Sequence, residues 1–287
     1  MKATTMYQIT ETSKFMMSFA IVTQKDNVIV VDGGRPADMP LLKKIVKGRH
    51  ISAWILTHAH NDHISGFVEE MAQNGGKDFD IEKVYYHFPD YVSETPEGLI
   101  DPKFYRADMD EMLPAFADAL PNFRDKAHVV QQGERVVVDE VTIDFLYTWH
   151  PFLTTNVMND SSLVFKVTAP KKTVLFLGDL GPEGGAVLYR ESRDLLKADL
   201  VQMAHHGHMC CGMEVYAAVA PETCLWCCPD WLYDEEELVY YLDGTEKQYY
   251  DGRLFMYGTR MTRRWMDTLG VKKHYVTKDG THRIRLS

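Results

Sequence analysis

The chain has 287 residues, 45% of them hydrophobic, which is enough to bury a substantial core and sets disorder aside. Acidic side chains outnumber basic ones 41 to 31, and the resulting net charge of −10 opposes binding to long nucleic acid. No apolar run approaches the roughly 18 residues of a membrane span, and the first residues lack the basic-then-apolar profile of an export signal. The expectation is a soluble, cytoplasmic protein acting on a small-molecule substrate, with its oligomeric state left open.

In chain order, "FAIVTQKDNVIVVDGG" (19–34) reads as two strands around a polar turn, the second apolar throughout and so buried on both faces. "ADMPLLKKIVKG" has helical spacing, "SAWILTH" is a further buried strand, Ile64 to about Asn74 is an amphipathic helix, and "KVYYH" (83–87) is a short strand. Residues 88–126 are acidic and proline-bearing, with one predicted helix, "DMDEMLPAFADAL"; they read either as a lid over a more regular scaffold or as an ordinary acidic surface helix. Strands resume at 135–147, 162–170, 172–179 and 198–206. Helices follow near 212–220 and 259–270, and a "KDG" turn separates two final strand-like runs. No repeat or Gly/Ser-rich linker divides the chain, so one α/β domain over residues 1–287 is expected, with sheets covered by helices. The basic stretches "KGRH" (47–50) and "RMTRR" (260–264) read as a helix end and a solvated helix face.

Cys210, Cys211, Cys224, Cys227 and Cys228 are odd in number and confined to one short region. "CLWCC" contains a CxxC, but no second CxxC follows, so reduced, buried thiols are expected rather than a zinc ribbon or disulfides.

The stretch "WILTHAHNDHISG" crowds His58, His60, Asp62 and His63 into six positions after a buried strand. Imidazoles and carboxylates that converge are ligands for zinc, manganese or iron. The spacing does not suit one face of a helix; it suits a tight loop leaving a strand and turning into a helix. One such loop cannot complete a metal site. Candidate partners stand at other strand ends: Asp32 after "VIVV", Asp179 after "VLFLG", and His205 with His206 after "LVQMA".

"THAHNDH" matches the HxHxDH signature of the metallo-β-lactamase superfamily, and "VVDGG", "LFLGD" and "MAHHG" resemble its other motifs in the same order. The resemblance runs from about residue 19 to 220 and implies the αββα sandwich, two packed mixed sheets flanked by helices. It implies His58 and His60 as ligands of a first metal, and Asp62, His63 and either His205 or His206 as ligands of a second. Asp179 would bridge the two, and Asp32 would support the HxHxDH loop from behind. Where many members supply a third His to the first metal, this chain has "YTWHPFLTTNVMNDSSLVFKV". His150 is either that ligand or an exposed or helix-capping residue. "NDSSLVFKV…LFLGD…HHG" further resembles the branch of competence-protein (DNA-uptake) hydrolase domains and phosphorylcholine esterases, in which Asn159 occupies the edge of the site.

Two zinc ions, with manganese or iron as alternatives, would hold a hydroxide that attacks an ester, and Asp62 and Asp179 would be the catalytic carboxylates. No Ser or Cys nucleophile is then required. A small phosphodiester or related ester is the expected substrate. The alternatives are lactone, thioester or amide hydrolysis, or a catalytically silent metal-binding module. Trp226, Trp231, Tyr233 and Tyr257 read either as an aromatic mouth or as plain core. His208 and Cys210, beside the last ligand, read either as modifiers of the site or as ordinary loop residues.

Overall fold

The computed structural model describes residues 2–12, 14–88, 107–153, 156–234 and 258–287. Two mixed sheets stack face to face. The first has the order β15-β1-β2-β3-β4-β6-β7, with β5 also pairing β4. Its strands are β1 (Thr5–Gln8), β2 (Ser18–Val22), β3 (Val28–Asp32), β4 (His50–Ile55), β5 (Asp80–Ile81), β6 (Val84–Tyr86), β7 (Ala127–Val129) and β15 (His282–Arg285). The second has the order β14-β13-β12-β11-β10-β9-β8, from β8 (Arg135–Val138), β9 (Val141–Tyr147), β10 (Val164–Thr168), β11 (Thr173–Phe176), β12 (Leu200–Gln202), β13 (Thr223–Trp226) and β14 (Lys273–Val276). The helices are α1 (Met39–Val46), α2 (Asn61–Asn74), α3 (Ala107–Ala119), α4 (Val157–Asp160), α5 (Pro182–Ser192), α6 (Met213–Val219), α7 (Asp230–Tyr233) and α8 (Thr259–Thr268).

The predicted hairpin is the β2–β3 pair, with Ser18 opposite Asp32 and Val22 opposite Val28. Alternation then assigns the faces. On β3, Ile29 and Val31 enter the core between the sheets while Val28 and Val30 face the helical layer. On β11, Val174 and Phe176 point between the sheets and Leu175 points to the helices. Phe19 of β2 meets Phe176 of β11 edge to face at 5.1 Å, so the sheets touch directly. On the outer face of the first sheet, Trp54 packs on Phe67 of α2 at 5.0 Å, and Phe67 on Phe123 at 5.2 Å. This is the expected αββα architecture.

Several boundaries differ from the sequence reading, each for a local reason. β1, only "TMYQ", is too short to declare an alternation, yet it is stitched on both sides, to β2 and β15. The strand expected over 198–206 stops at Gln202, because the chain turns at Ala204–Gly207. The runs around "KDG" do not pair with each other: β14 joins the second sheet and β15 the first. α2 begins at Asn61, three residues earlier than its apolar periodicity announces. Of the expected lid, residues 89–106 lie outside the described residues, and α3 packs against α2. All five cysteines are free and buried.

Asp160 ends α4 with no exposure, and its Oδ1 accepts the backbone N–H groups of Gly181 and Gly184, each at 2.9 Å, at the start of α5. Burial pushes its carboxyl up to about 7 in spite of these two bonds. The folded state therefore keeps a proton that the unfolded chain has lost, and the stability this group contributes falls as pH rises from about 4 to 7. Asp160→Asn keeps the acceptor and cannot ionise. Its urea midpoint, followed by circular dichroism, is expected to vary less than that of the wild type over that window and to exceed it at pH 8.

Candidate metal centre

Four strand ends supply the site, and they meet because β3 and β4 run parallel in one sheet and β11 and β12 in the other. Asp32, the last residue of β3, is fully buried. Its carboxylate accepts the Thr57 N–H at 2.7 Å, the Thr57 hydroxyl at 2.7 Å and His63 Nδ1 at 2.7 Å. Its carbonyl accepts Trp54 Nε1 at 2.7 Å. The residue is held in the left-handed region, φ 54°, which an Asp tolerates better than most side chains. The Thr57 carbonyl in turn accepts the Leu163 N–H of the second sheet's loop at 2.9 Å, tying the two halves of the site together.

His60 is the N-cap of α2, and Asp62 and His63 lie in its first turn, where the partial positive charge of the helix end favours the Asp62 carboxylate. Because His63 donates Nδ1–H to Asp32, Nε2 is the nitrogen it can offer a metal once that nitrogen is deprotonated; it is buried, 3.2 Å from Asp179 Oδ1 and 3.8 Å from Asp62 Oδ2. Asp179 follows β11 through Gly178, at φ +55°, where an added Cβ would lie 2.7 Å from Ser162. The turn is fixed by three further bonds. Asp179 N–H donates to Ser162 Oγ at 2.9 Å, Leu177 N–H to Gln202 Oε1 at 2.9 Å, and Gln202 Nε2 to the Gly178 carbonyl at 3.0 Å.

The Gly178 carbonyl also accepts the His205 N–H at 3.1 Å, which sets the last segment of the site. His205 and His206 both adopt left-handed backbone, φ 48° and 55°, conformations that cost on the order of 1–2 kcal/mol per residue. Gly207 follows at φ +93°, where a Cβ would come within 2.4 Å of Trp226. These turns separate the adjacent imidazoles. His206 donates Nδ1–H to the Cys227 carbonyl at 2.7 Å and presents Nε2 3.0 Å from Asp62 Oδ2 and 3.4 Å from Asp179 Oδ2. His205 instead lies 3.3 Å from Asn159 Nδ2 through its Nε2.

Two groups of donors result, Asp62, His63, Asp179 and His206 in one and His58, His60 and Asp179 in the other, each gathered within 4.8 Å. Asp179 belongs to both. His58 Nε2 stands 3.0 Å from His60 Nδ1 and 3.9 Å from Asp179 Oδ2. Ligands of a tetrahedral zinc ion at about 2 Å are about 3.3 Å apart, so these spacings fit a metal without rearrangement. The chemistry fits too: His63 Nε2 and Asp179 Oδ1 are buried and make no hydrogen bond, a costly state that a cation would relieve. His150 lies outside both groups, 3.4 Å from Glu191 and stacked on Tyr147. Asn159 is buried beside His205 with its Oδ1 unpartnered.

The electrostatics follow from this crowding. Burial and its imidazole neighbour His63 hold His58 well below its ordinary value. Burial opposes the charge on His206, yet the carboxylates of Asp179 and Asp62 raise it to about 9. Burial likewise opposes the charge on Asp179, and His63 and His206 outweigh it and hold that carboxyl well below the usual range.

A family model described as the metallo-beta-lactamase superfamily matches residues 16–209. The chain belongs to the metallo-beta-lactamase superfamily. No curated protein matches it by sequence. Among solved structures it resembles the metallo-beta-lactamase fold protein YhfI from Bacillus subtilis, with a TM-score of 0.55 and 15% identity over 98% of this chain and 100% of that one. It also resembles CmlA, a diiron beta-hydroxylase from Streptomyces venezuelae, with a TM-score of 0.55 and 11% identity over 100% of this chain and 55% of that one. At such identities the likeness is one of fold, and it matches the metallo-beta-lactamase sandwich seen here.

Sequence reasoning did not single out Thr57, Ser162, Gln202 or the Cys227 carbonyl. Thr57 and Ser162 adjoin motif residues and were within reach of it; Gln202 and Cys227 act through tertiary contact alone. Of the aromatic residues considered as a mouth, Trp226 is fully buried core and donates Nε1–H to His274. Tyr233 is half-buried between the cations of Arg263 and Lys278. Trp231 is exposed, and Tyr257 lies outside the described residues.

Two outcomes are expected for metal uptake. The protons that His206, raised to about 9, and His63, also raised well above its ordinary value, carry must leave before a cation binds, so affinity should rise with pH through the neutral range. Calorimetry at pH 7.5 in buffers of different ionisation heat should register that proton release. Asp32→Ala, which removes the support of Thr57 and His63, should weaken zinc binding about 10–100-fold in competition with a chromophoric chelator.

Proposed function

We propose that this chain is a metal-dependent hydrolase that binds two divalent ions and cleaves a small phosphodiester or related ester. The observation that carries the reading is Asp179, a single buried carboxylate shared by two donor groups. Divalent ions bound there supply an activated water near neutral pH and stabilise negative charge developing on the substrate. Asp179 sets the spacing of the two groups, and the bonds from Ser162 and Gln202 fix its turn. Asp62, in the first turn of α2, would orient the attacking water. His206 is the member of the 205–206 pair that joins the donors, its tautomer set by Cys227.

The phosphodiester preference rests on the resemblance of "NDSSLVFKV…LFLGD…HHG" to the competence-protein and phosphorylcholine-esterase branch. It draws further support from Asn159, which offers a buried, unpartnered carbonyl oxygen beside His205. Zinc is the first metal to load. Manganese and iron follow, since CmlA, of the same fold, is a diiron protein.

Bis(4-nitrophenyl) phosphate should be hydrolysed by protein reconstituted with zinc, manganese or iron. Asp179→Asn should lose on the order of 100-fold or more in kcat/KM. Turnover of a simple lactone alone would overturn the phosphodiester reading and leave the hydrolase. Tight metal binding without turnover of either substrate would favour a catalytically silent module.

A further inference from the structure

Beside the metal donors lies a surface that the chemistry above does not use. The ring of Phe15 tilts onto His206 at 4.8 Å, and Trp231, 53% exposed, continues the same surface outward at 5.9 Å from Phe15. Aromatic faces thus run without a break from solvent to a proposed metal ligand. Two polar groups flank Phe15. The Arg35 guanidinium stands 6.0 Å over its ring, and His208, 93% buried, meets it edge-on at 6.5 Å.

Both flanking groups are unsatisfied. Arg35 Nε is buried and makes no hydrogen bond, and among the described residues the Arg35 side chain forms no ion pair. The two acids three residues away are already engaged, Asp38 by the backbone N–H of Arg35 and by the N–H and hydroxyl of Thr12, and Asp32 by Thr57 and His63. His208 has neither ring nitrogen hydrogen-bonded. Buried polar atoms in native proteins have partners, so two orphaned groups on one aromatic ring mark a place that a bound molecule completes. A guanidinium without a carboxylate is the group that recognises an anion, and the rings supply apolar contact.

We infer that Phe15, Trp231 and Arg35, with His208, form a recognition wall for a substrate carrying an aromatic or extended apolar body and an anionic group. Arg35 pairs with neither Asp62 nor Asp179, so the charge it reads is borne by a part of the substrate other than that held at the metal donors. Trp231 and Phe15 carry the apolar body, and His208 offers it a hydrogen bond. This deepens the hydrolase reading and takes the metal centre from it, yet anion binding is measurable without turnover.

The test is calorimetric titration of metal-loaded protein with benzenesulfonate, an aromatic anion that coordinates metals weakly, and with methanesulfonate, the same anion without a ring. Wild type should bind benzenesulfonate and bind methanesulfonate more weakly. Arg35→Met should weaken benzenesulfonate at least ~10-fold, as expected for loss of a charged hydrogen bond. Trp231→Ala, at an exposed position that tolerates truncation, should weaken it several-fold and leave methanesulfonate unchanged. Circular dichroism and metal content serve as folding controls. The wall is overturned if wild type does not bind benzenesulfonate, if the two sulfonates bind alike, or if both folded variants bind as wild type does. If the wall's results hold while no ester is hydrolysed, the hydrolase reading fails and the binding site stands. If phosphodiester turnover is present and the sulfonate results fail, the opposite follows.

Discussion

The site depends on one buried carboxylate. Asp32 has no solvent to share its charge, and three donors from two residues, Thr57 and His63, take the place of water around it. An uncompensated charge in such a position would be very costly, so the loop from Thr57 to His63 has only one comfortable course. That course directs His63 Nε2 at Asp179 and delivers Thr57 O to the loop of the opposite sheet. The order of the HxHxDH segment is thus imposed from behind, by a residue that touches none of the opposing donors.

The same arrangement appears on the other side with different chemistry. There the positioning groups are neutral: Ser162, Gln202 and the carbonyls of Gly178 and Cys227. Hydrogen bonds from backbone and amide groups set direction without adding charge, which matters where Asp62 and Asp179 already crowd the centre. The cost appears in the backbone, where His205 and His206 are left-handed in succession. Strain of this kind persists only where surrounding contacts over-determine it, and the closure of Gly207 onto Trp226 does so here.

Much of this is legible in the amino-acid sequence. The buried strand "VIVVD", the hairpin before it, the clustered ligands after β4 and the carboxylate after β11 all announce themselves by local pattern. What is not legible is what depends on direction or on distant contact. Nothing in "AHHG" distinguishes His205 from His206, because the choice is made by two positive φ angles. Nothing in "SKFMM" or "GGRP" marks Phe15 and Arg35 as neighbours, since they meet only when β2 and β3 are paired. The start of α2 is masked in the sequence because its first turn holds polar donors ahead of the apolar residues. β1 leaves no signal in the sequence because four residues carry too little periodicity.

The pairing of β15 with β1 has a consequence for how the molecule comes together. Thr5 lies opposite Arg285, so the edge of the first sheet is made from the two most distant strands of the chain, while β14, a few residues before, belongs to the other sheet. Contacts of such long sequence separation form slowly, because chain entropy must be lost before any ladder bond is gained. The donors themselves lie between residues 58 and 206, on turns after β4, β11 and β12 and in the first turn of α2, and those strands pair without that final ladder. The molecule can therefore assemble its centre first and close the edge of its first sheet last, with the closing strand outside the turns that bear the chemistry.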